Sequence, residues 1–176
     1  PPPPPTQPQP QAPVQPVSCN GGAEMTSWMD LVAIPLTPET PDHGDHAAAS
    51  VAIVHGILDA LVAEGVPPAR IVLGGFSQGG SLALSAAAGY EPGLGGCCVL
   101  SGWAQPTQDV PSKLARRGAA ATPFFVGHGG ADGVVVPECG REVEALLRAA
   151  GAPVDYRTYA GVGHGSCPQE EQDVLD

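Results

Sequence analysis

The sequence has little positive charge. Only 7 of its 176 residues are Lys or Arg, against 18 Asp or Glu, so the formal net charge is −11 at pH 7. Lys113 is the single lysine. Nucleic acids and anionic membrane surfaces attract basic patches on proteins. We therefore expect neither of them to be a partner.

The cysteines lack the spacing of a metal site or of a disulfide-rich domain. The number of cysteines is odd, and none is in C-x-x-C spacing. Two of them, Cys97 and Cys98, are adjacent in an apolar run, and the others are Cys19, Cys139 and Cys167. Disulfide frameworks and structural zinc sites need paired, regularly spaced ligands. We expect neither a disulfide framework nor a zinc site.

The sequence also lacks a signal-peptide start and a convincing membrane span. It begins with proline, its first charge is Glu24 and its first methionine is Met25, so we expect translation to begin upstream of Pro1. Residues 71–90 carry no charge, a length that could cross a bilayer. Five glycines, three serines and Gln78 in that stretch make it a poor span, and we expect no stable membrane insertion.

Proline is concentrated at one end. Nine of the 21 prolines fall in the first 16 residues, which predicts a disordered, polyproline-like tail over residues 1–11. Residues 12–176 are long enough for a single domain. Between residues 12 and 40 further prolines interrupt the apolar residues, and we expect loop with a short strand or a helical turn there.

The rest of the chain alternates short apolar runs with helical patterns. A helix is expected from Asp42 or Asp45 to about Gly65, followed by two more at 79–88 and 137–150. Four buried strands are expected at 70–76, 94–101, 123–128 and 153–159. This alternation predicts an α/β fold in which a mostly parallel sheet has helices on both faces.

The join between the first of these strands and its helix contains G-x-S-x-G, from Gly75 to Gly79. In such a turn the serine, here Ser77, is exposed above the sheet edge, and glycines are required on either side because a side chain would collide with the crossing backbone. Two alternatives are an ordinary strand-to-helix turn and a phosphate-binding loop. Gly80 stands where a phosphate-binding loop needs lysine, which disfavours that alternative.

A serine nucleophile needs a histidine base and a carboxylate, in the chain order Ser, Asp or Glu, His for this kind of fold. His164 lies in a glycine-rich loop after the last strand, where the base is expected, and Asp132 lies in a strand-end loop between Ser77 and His164. Asp155 and Asp173 are weaker candidates for the acid. The remaining histidines have ordinary explanations. His55 is expected inside a helix and His128 at a strand end. His43 and His46 are expected in a polar turn, which could alternatively hold a metal.

Together these segments resemble the acyl-protein thioesterase, lysophospholipase and carboxylesterase family of α/β hydrolases. The resemblance is carried over residues 12–176 by APVQPV with SWMD, ARIVLGGFSQGGSLAL, VLSGWAQP, GHGGADGVVVP and YAGVGHGSCPQEEQDV. It implies an α/β-hydrolase fold, with Ser77 as nucleophile, Asp132 as acid and His164 as base. It also implies that the backbone N–H of Gln78 donates to the oxyanion.

The same resemblance implies what the protein would act on. Its substrates would be acylated proteins, lysophospholipids or short esters, it would need no cofactor or metal, and it would be cytoplasmic. Trp103, in LSGWAQP, is expected to wall the substrate pocket unless it is an ordinary buried aromatic, and Trp28 is a weaker candidate.

One part of the family pattern is absent from the sequence. The family begins with a strand and a His-Gly-x-Gly-Asp loop that supplies a second oxyanion donor, whereas this chain has prolines there and stops within its last helix. We therefore expect a domain that lacks its N-terminal strands and is truncated at both ends. The alternative function is a catalytically impaired fragment that acts only as a binding module.

Overall fold

A parallel sheet of four strands organises the part of the chain that the computed structural model describes, which is residues 7–42, 44–117 and 122–175. The strands in chain order are β1 (Val14–Val17), β2 (Ala23–Thr26), β3 (Val72–Phe76), β4 (Gly96–Leu100), β5 (Phe124–Gly129) and β6 (Val154–Tyr159). The helices are α1 (Gly44–Ala63), α2 (Gln78–Gly89), α3 (Val110–Arg117), α4 (Pro137–Ala149) and α5 (Pro168–Leu175).

The sheet has the order β3-β4-β5-β6, and all three pairings are parallel. Gly75, Val99 and Val126 are register partners on neighbouring strands and therefore share one face. On this face α2 packs against β3 and β4, and α4 packs against β5 and β6. The pattern of strands alternating with helices thus predicts the observed sheet.

The opposite face of the sheet is covered by α5. Leu100 and Gly127 are register partners on that face, and the Glu170 side chain of α5 lies directly against Gly127. Helices therefore lie on both faces, as predicted. The cover is uneven, because Val72 and Phe76 of β3 are 64% and 40% exposed on the same face. Within the described residues, β3 pairs with a strand on one side only.

The core lies between the sheet and the helices on the first face. Val99 of β4 and Val126 of β5 are fully buried there, as are the alanines at 86–88 of α2, and all of them belong to one apolar cluster. Small side chains let a helix axis approach a sheet closely, which matches the alanine- and serine-rich sequence of α2.

The stretch His46–Ala63 of α1 is long and apolar enough to cross a membrane by length and composition alone. Here α1 contacts α2 and places one of its faces in the core.

Two elements differ from the expectations. Residues 12–40 contain an antiparallel hairpin of β1 and β2, although Pro16 in β1 disfavours a strand. Helix α3 was not expected, since it is short and polar; Asp109 just before it accepts a hydrogen bond from the Ser112 N–H and so caps it.

All five cysteines have free thiols. Residues 7–13 form no helix or strand, and residues 1–6 of the predicted tail lie outside the described part of the chain.

An apolar cavity of about 240 Å³ lies between α1, β3 and the start of α2. The N-terminal residues Pro8 and Pro10 form part of its wall, as do Trp28 and Gly79. Gly74 and Gly79, which lie on either side of Ser77 in the sequence, both line this cavity.

Candidate active site

Ser77 occupies a strained turn between β3 and α2. Its φ of 54° and ψ of −120° are unusual for a residue with a side chain, and such a conformation costs about 1–3 kcal/mol. Hydrogen bonds hold it on both sides: the Ser77 N–H donates to the Leu100 carbonyl at 2.7 Å, and the Ser77 carbonyl accepts from the Ser81 N–H at 3.0 Å. The turn leaves the Ser77 side chain half-buried at the carboxyl end of the sheet.

The glycine requirement at this turn is only partly as expected. A Cβ built on Gly75 would lie 2.2 Å from the carbonyl oxygen of Gly79, so no side chain fits there. The expectation for Gly79 is wrong, because a Cβ on Gly79 would meet nothing within 4 Å. The second tight position is Gly80, whose Cβ would lie 2.9 Å from the Gly75 carbonyl oxygen. The crossing backbone therefore presses on the helix one residue later than the motif suggests.

The structure brings Ser77, His164 and Asp132 together from three separate loops. His164 Nε2 lies 2.9 Å from Ser77 Oγ, and His164 Nδ1 lies 2.8 Å from Asp132 Oδ2. With the ring proton on Nδ1 donated to the carboxylate, Nε2 is free to accept the hydroxyl hydrogen of Ser77. The Phe76 ring lies 4.8 Å from the His164 ring and packs at an angle of 44°.

Asp132 is held as a carboxylate. It is 4% exposed, and its Oδ1 accepts hydrogen bonds from the N–H groups of Val134 at 2.9 Å and Val135 at 3.0 Å. Burial raises the pKa of Asp132, but the hydrogen bonds from His164 and from these two N–H groups outweigh it, so the pKa lies below its usual range. An ionised carboxylate can orient the imidazole and stabilise it when it gains a proton.

His128 supports the loop that carries Asp132. The His128 side chain is fully buried, and its Nε2 lies 2.9 Å from the Val135 carbonyl oxygen and 3.6 Å from Asp132 Oδ2. Burial lowers the pKa of His128, which keeps the ring neutral beside the carboxylate. The sequence predicts that His128 ends a strand and packs against or bonds the loop that follows, and its contact with the Val135 carbonyl oxygen agrees with this prediction.

Gln78 is the first residue of α2, so its N–H is one of the helix N–H groups without a partner inside the helix. Such groups favour negative charge at a helix start. The side chain of Gln78 reaches the segment from Ser27 to Met29, which sequence reasoning did not connect with the turn.

The two tryptophans have different surroundings. Trp103 is 7% exposed and packs in the core, and its carbonyl accepts a hydrogen bond from Ser81 Oγ at 2.7 Å. It does not line the 240 Å³ cavity, and its role as a pocket wall stays a prediction. Trp28 does line that cavity. No pattern in the sequence distinguishes a buried tryptophan from one at a cavity.

The other candidates for the acid and base lie apart from Ser77 or have other partners. Asp155 pairs with Arg157, and Asp173 accepts a hydrogen bond from the Tyr159 hydroxyl. The His55 ring lies 2.9 Å from the Ala86 carbonyl oxygen. His43 of the expected polar turn lies outside the described residues. Within residues 7–42, 44–117 and 122–175 we find no group of three His, Cys, Asp or Glu side chains placed to hold a metal.

Comparisons with known proteins concern the whole chain and not the geometry of this site. A family model described as phospholipase/carboxylesterase matches residues 4–176. A probable carboxylesterase of Oryza sativa subsp. japonica, Os04g0669500, is 38% identical over 161 residues. These residues are 92% of this chain but 60% of the rice protein, so the chain spans less than two thirds of that relative. Acyl-protein thioesterase 1 of Neurospora crassa is 33% identical over 174 residues, which are 95% of this chain and 70% of the relative.

A crystal structure shares the fold. That of the Arabidopsis thaliana carboxylesterase SOBER1 has a TM-score of 0.86 and 35% sequence identity to this chain. The match covers 94% of this chain and 78% of the SOBER1 chain.

Proposed function

Because this chain belongs to the phospholipase/carboxylesterase family of α/β hydrolases, we propose that it hydrolyses carboxylic esters and thioesters through an acyl intermediate on Ser77. The observation that carries the proposal is the position of His164, whose two ring nitrogens lie 2.9 Å from Ser77 Oγ and 2.8 Å from Asp132 Oδ2. A serine that contacts a base, which in turn contacts a carboxylate, is the arrangement that activates a hydroxyl nucleophile.

The proposed reaction has two acyl transfers. In the first, His164 Nε2 accepts the Ser77 proton while Ser77 Oγ forms a bond to the substrate carbonyl carbon, and the oxyanion accepts a hydrogen bond from the Gln78 N–H. The carbon–oxygen or carbon–sulfur bond then breaks, the leaving group takes the proton from His164 and departs as an alcohol or a thiol, and the acyl group stays on Ser77. In the second, His164, neutral again, removes a proton from water as the water oxygen attacks the acyl carbon. The bond from that carbon to Ser77 Oγ then breaks, His164 returns the proton to Ser77, and the carboxylic acid is released.

A thioester asks less of this site than an ester does. A thiolate leaves without first gaining a proton because its conjugate thiol is much more acidic than an alcohol. We propose acylated proteins or lysophospholipids as the substrate class, and removal of an S-linked acyl group from a protein as one reaction. The names of the relatives support esters and thioesters in general, since one is a carboxylesterase and another an acyl-protein thioesterase.

The test combines covalent labelling with turnover. The chain should react with a fluorophosphonate probe and hydrolyse a p-nitrophenyl ester, and Ser77→Ala should abolish both while leaving the folded state intact, because Ser77 lies in a partly exposed turn. Ser85→Ala is the matched control. Ser85 lies in α2, the helix that follows Ser77, and is buried. Its hydroxyl has no hydrogen-bond partner among the described residues, so its loss should change neither result.

The alternative function predicts a different outcome. A folded chain that binds no fluorophosphonate and hydrolyses no ester would be a binding module, and the proposed function would be wrong. Turnover by Ser77→Ala equal to that of the parent would also refute it. If the parent chain is active, parallel assays with an S-acyl peptide, a lysophospholipid and a p-nitrophenyl ester will rank the substrate classes.

A further inference from the structure

The side chain of Gln78 uses all of its hydrogen-bonding groups on one distant segment. Its Oε1 accepts a hydrogen bond from the Trp28 N–H at 2.8 Å. Its Nε2 donates to Ser27 Oγ at 2.8 Å and to the Met29 carbonyl at 2.9 Å. The two parts of the chain are about fifty residues apart in sequence, so these bonds join the sequence motifs SWMD and GFSQGG.

The segment from Ser27 to Met29 is itself held firmly, which makes it a suitable anchor. The Ser27 N–H donates to the Pro13 carbonyl at 2.9 Å, and the Ser27 hydroxyl donates to the Met29 carbonyl at 2.6 Å. The Trp28 carbonyl accepts a hydrogen bond from the Ser50 hydroxyl of α1, and the Met29 side chain is fully buried. The anchor is therefore bonded to the residue just before β1 and to α1, and it packs in the core.

The pattern of donors and acceptors fits an amide and no other side chain of this size. Because the Ser27 hydroxyl gives its hydrogen to Met29, its oxygen can only accept from Gln78. Gln78 thus faces two acceptors with its NH₂ group and one donor with its oxygen. A glutamate would set a carboxylate against two acceptors. A methionine would remove the bond that the Trp28 N–H donates to Gln78 and one of the two bonds that the Met29 carbonyl accepts.

A side chain fixed at three points also fixes the backbone of its own residue. Gln78 begins α2, and no side chain caps the helix start at Ser77. The position of the Gln78 N–H therefore depends on the turn and on this anchored side chain. A donor aimed at a developing oxyanion has to be held to within about 0.5 Å.

We propose that the Gln78 side chain is a positioning residue for catalysis, which holds the Gln78 N–H on the oxyanion by clamping the nucleophile turn to residues 27–29. This inference rests on the proposed function. One of the three bonds holds the backbone of Trp28, a residue that lines the apolar cavity together with Gly79. The side chain acts through the backbone and through the anchor, and it does not touch the reacting atoms.

The experiment compares Gln78→Glu and Gln78→Met with the parent chain on p-nitrophenyl acetate, with active sites counted by fluorophosphonate titration. Both variants should lower kcat per titrated site by about 10- to 100-fold, since the donor is displaced rather than removed, while KM stays within about twofold. Ser27→Ala, which removes one of the three partners, should lower kcat by a smaller factor. Gln169→Met is the matched control, because Gln169 also lies in the first turn of a helix and its side chain donates a hydrogen bond to Asp173, away from residues 27–29. It should leave kcat unchanged.

Several results would overturn the inference. If the variants keep the parent's kcat per titrated site and only the titrated fraction or the melting temperature falls, the clamp is merely structural. If KM rises with kcat unchanged, the clamp acts on binding and not on the oxyanion donor. A parent chain that neither hydrolyses the ester nor reacts with the probe overturns the proposed function as well, whereas an active parent with unchanged variants overturns this inference alone.

Discussion

Replacing Gly75 with alanine should damage the nucleophile turn more than any other addition of one methyl group there. The added Cβ would lie 2.2 Å from the carbonyl oxygen and 2.3 Å from the carbonyl carbon of Gly79. Both atoms belong to the backbone, so no side-chain rotation relieves the contact. Ordinary carbon–oxygen contacts are about 1 Å longer, and the first turn of α2 would have to move by a comparable distance. Forcing a methyl group into a packed site costs up to about 3 kcal/mol when side chains can yield, so we expect at least that loss in the free energy of unfolding.

Gly79→Ala is the matched control, and it should raise the free energy of unfolding. A Cβ at Gly79 meets nothing within 4 Å, and alanine is favoured over glycine in a helix by up to about 1 kcal/mol. Urea unfolding separates the two variants. With a slope of about 2 kcal/mol per molar, Gly75→Ala should lower the midpoint by about 1.5 M or more, and Gly79→Ala should raise it slightly.

The measured midpoints decide the steric argument directly. Equal midpoints for the two variants would show that the turn adapts to a side chain at Gly75 and that glycine is not required there. A large loss in Gly79→Ala with none in Gly75→Ala would mean that the crossing backbone presses on the other glycine.

Two further predictions concern the residues around His164. Asp132→Asn should lower kcat by about 10⁴-fold, because the imidazole loses the partner that sets its tautomer, whereas the exposed Asp155→Asn should change little; ester hydrolysis measures both, and a larger loss at Asp155 would show that the acid is misassigned. Burial lowers the pKa of His128 in the folded state, so the unfolded chain binds its proton first and stability should fall as the pH drops below about 6.5. Unfolding by urea at several pH values should show this slope in the parent and a flatter one in His128→Gln, and parallel slopes would refute the assignment to His128.

Much of the fold could be predicted because its elements follow simple local rules. The family resemblance and the α/β-hydrolase fold are confirmed. The strands of the parallel sheet are short apolar runs between glycines and prolines, and the observed bounds differ from the expected ones by one or two residues at most ends. For residues 12–40 the sequence predicts at most one short strand, whereas the structure has the β1–β2 hairpin, in which Pro16 is paired with Glu24 although proline disfavours a strand. Helix α3 was missed because few of its side chains are apolar.

The candidate site, like the fold, could be predicted only in part. The order and spacing of Ser77, Asp132 and His164 along the chain are enough to predict that they meet, since each follows a parallel strand at the same edge of the sheet. Their catalytic roles stay predictions. The contact between Gln78 and residues 27–29 could not be predicted, because it joins a helix to a loop through hydrogen bonds that leave no periodic pattern in the sequence.

The single pairing of β3 has a consequence for how this protein behaves in concentrated solution. Among the described residues its second edge has no neighbouring strand, and Val72 beside it is largely exposed. Such an edge is a template for a strand from another molecule. The net charge of −11 opposes that encounter, because molecules of like charge repel each other before short-range contacts form. Salt shortens the range of this repulsion from about 30 Å at 0.01 M to about 8 Å at 0.15 M. Higher ionic strength should therefore increase the rate at which the molecules associate through this edge, separately from any change in the free energy of unfolding.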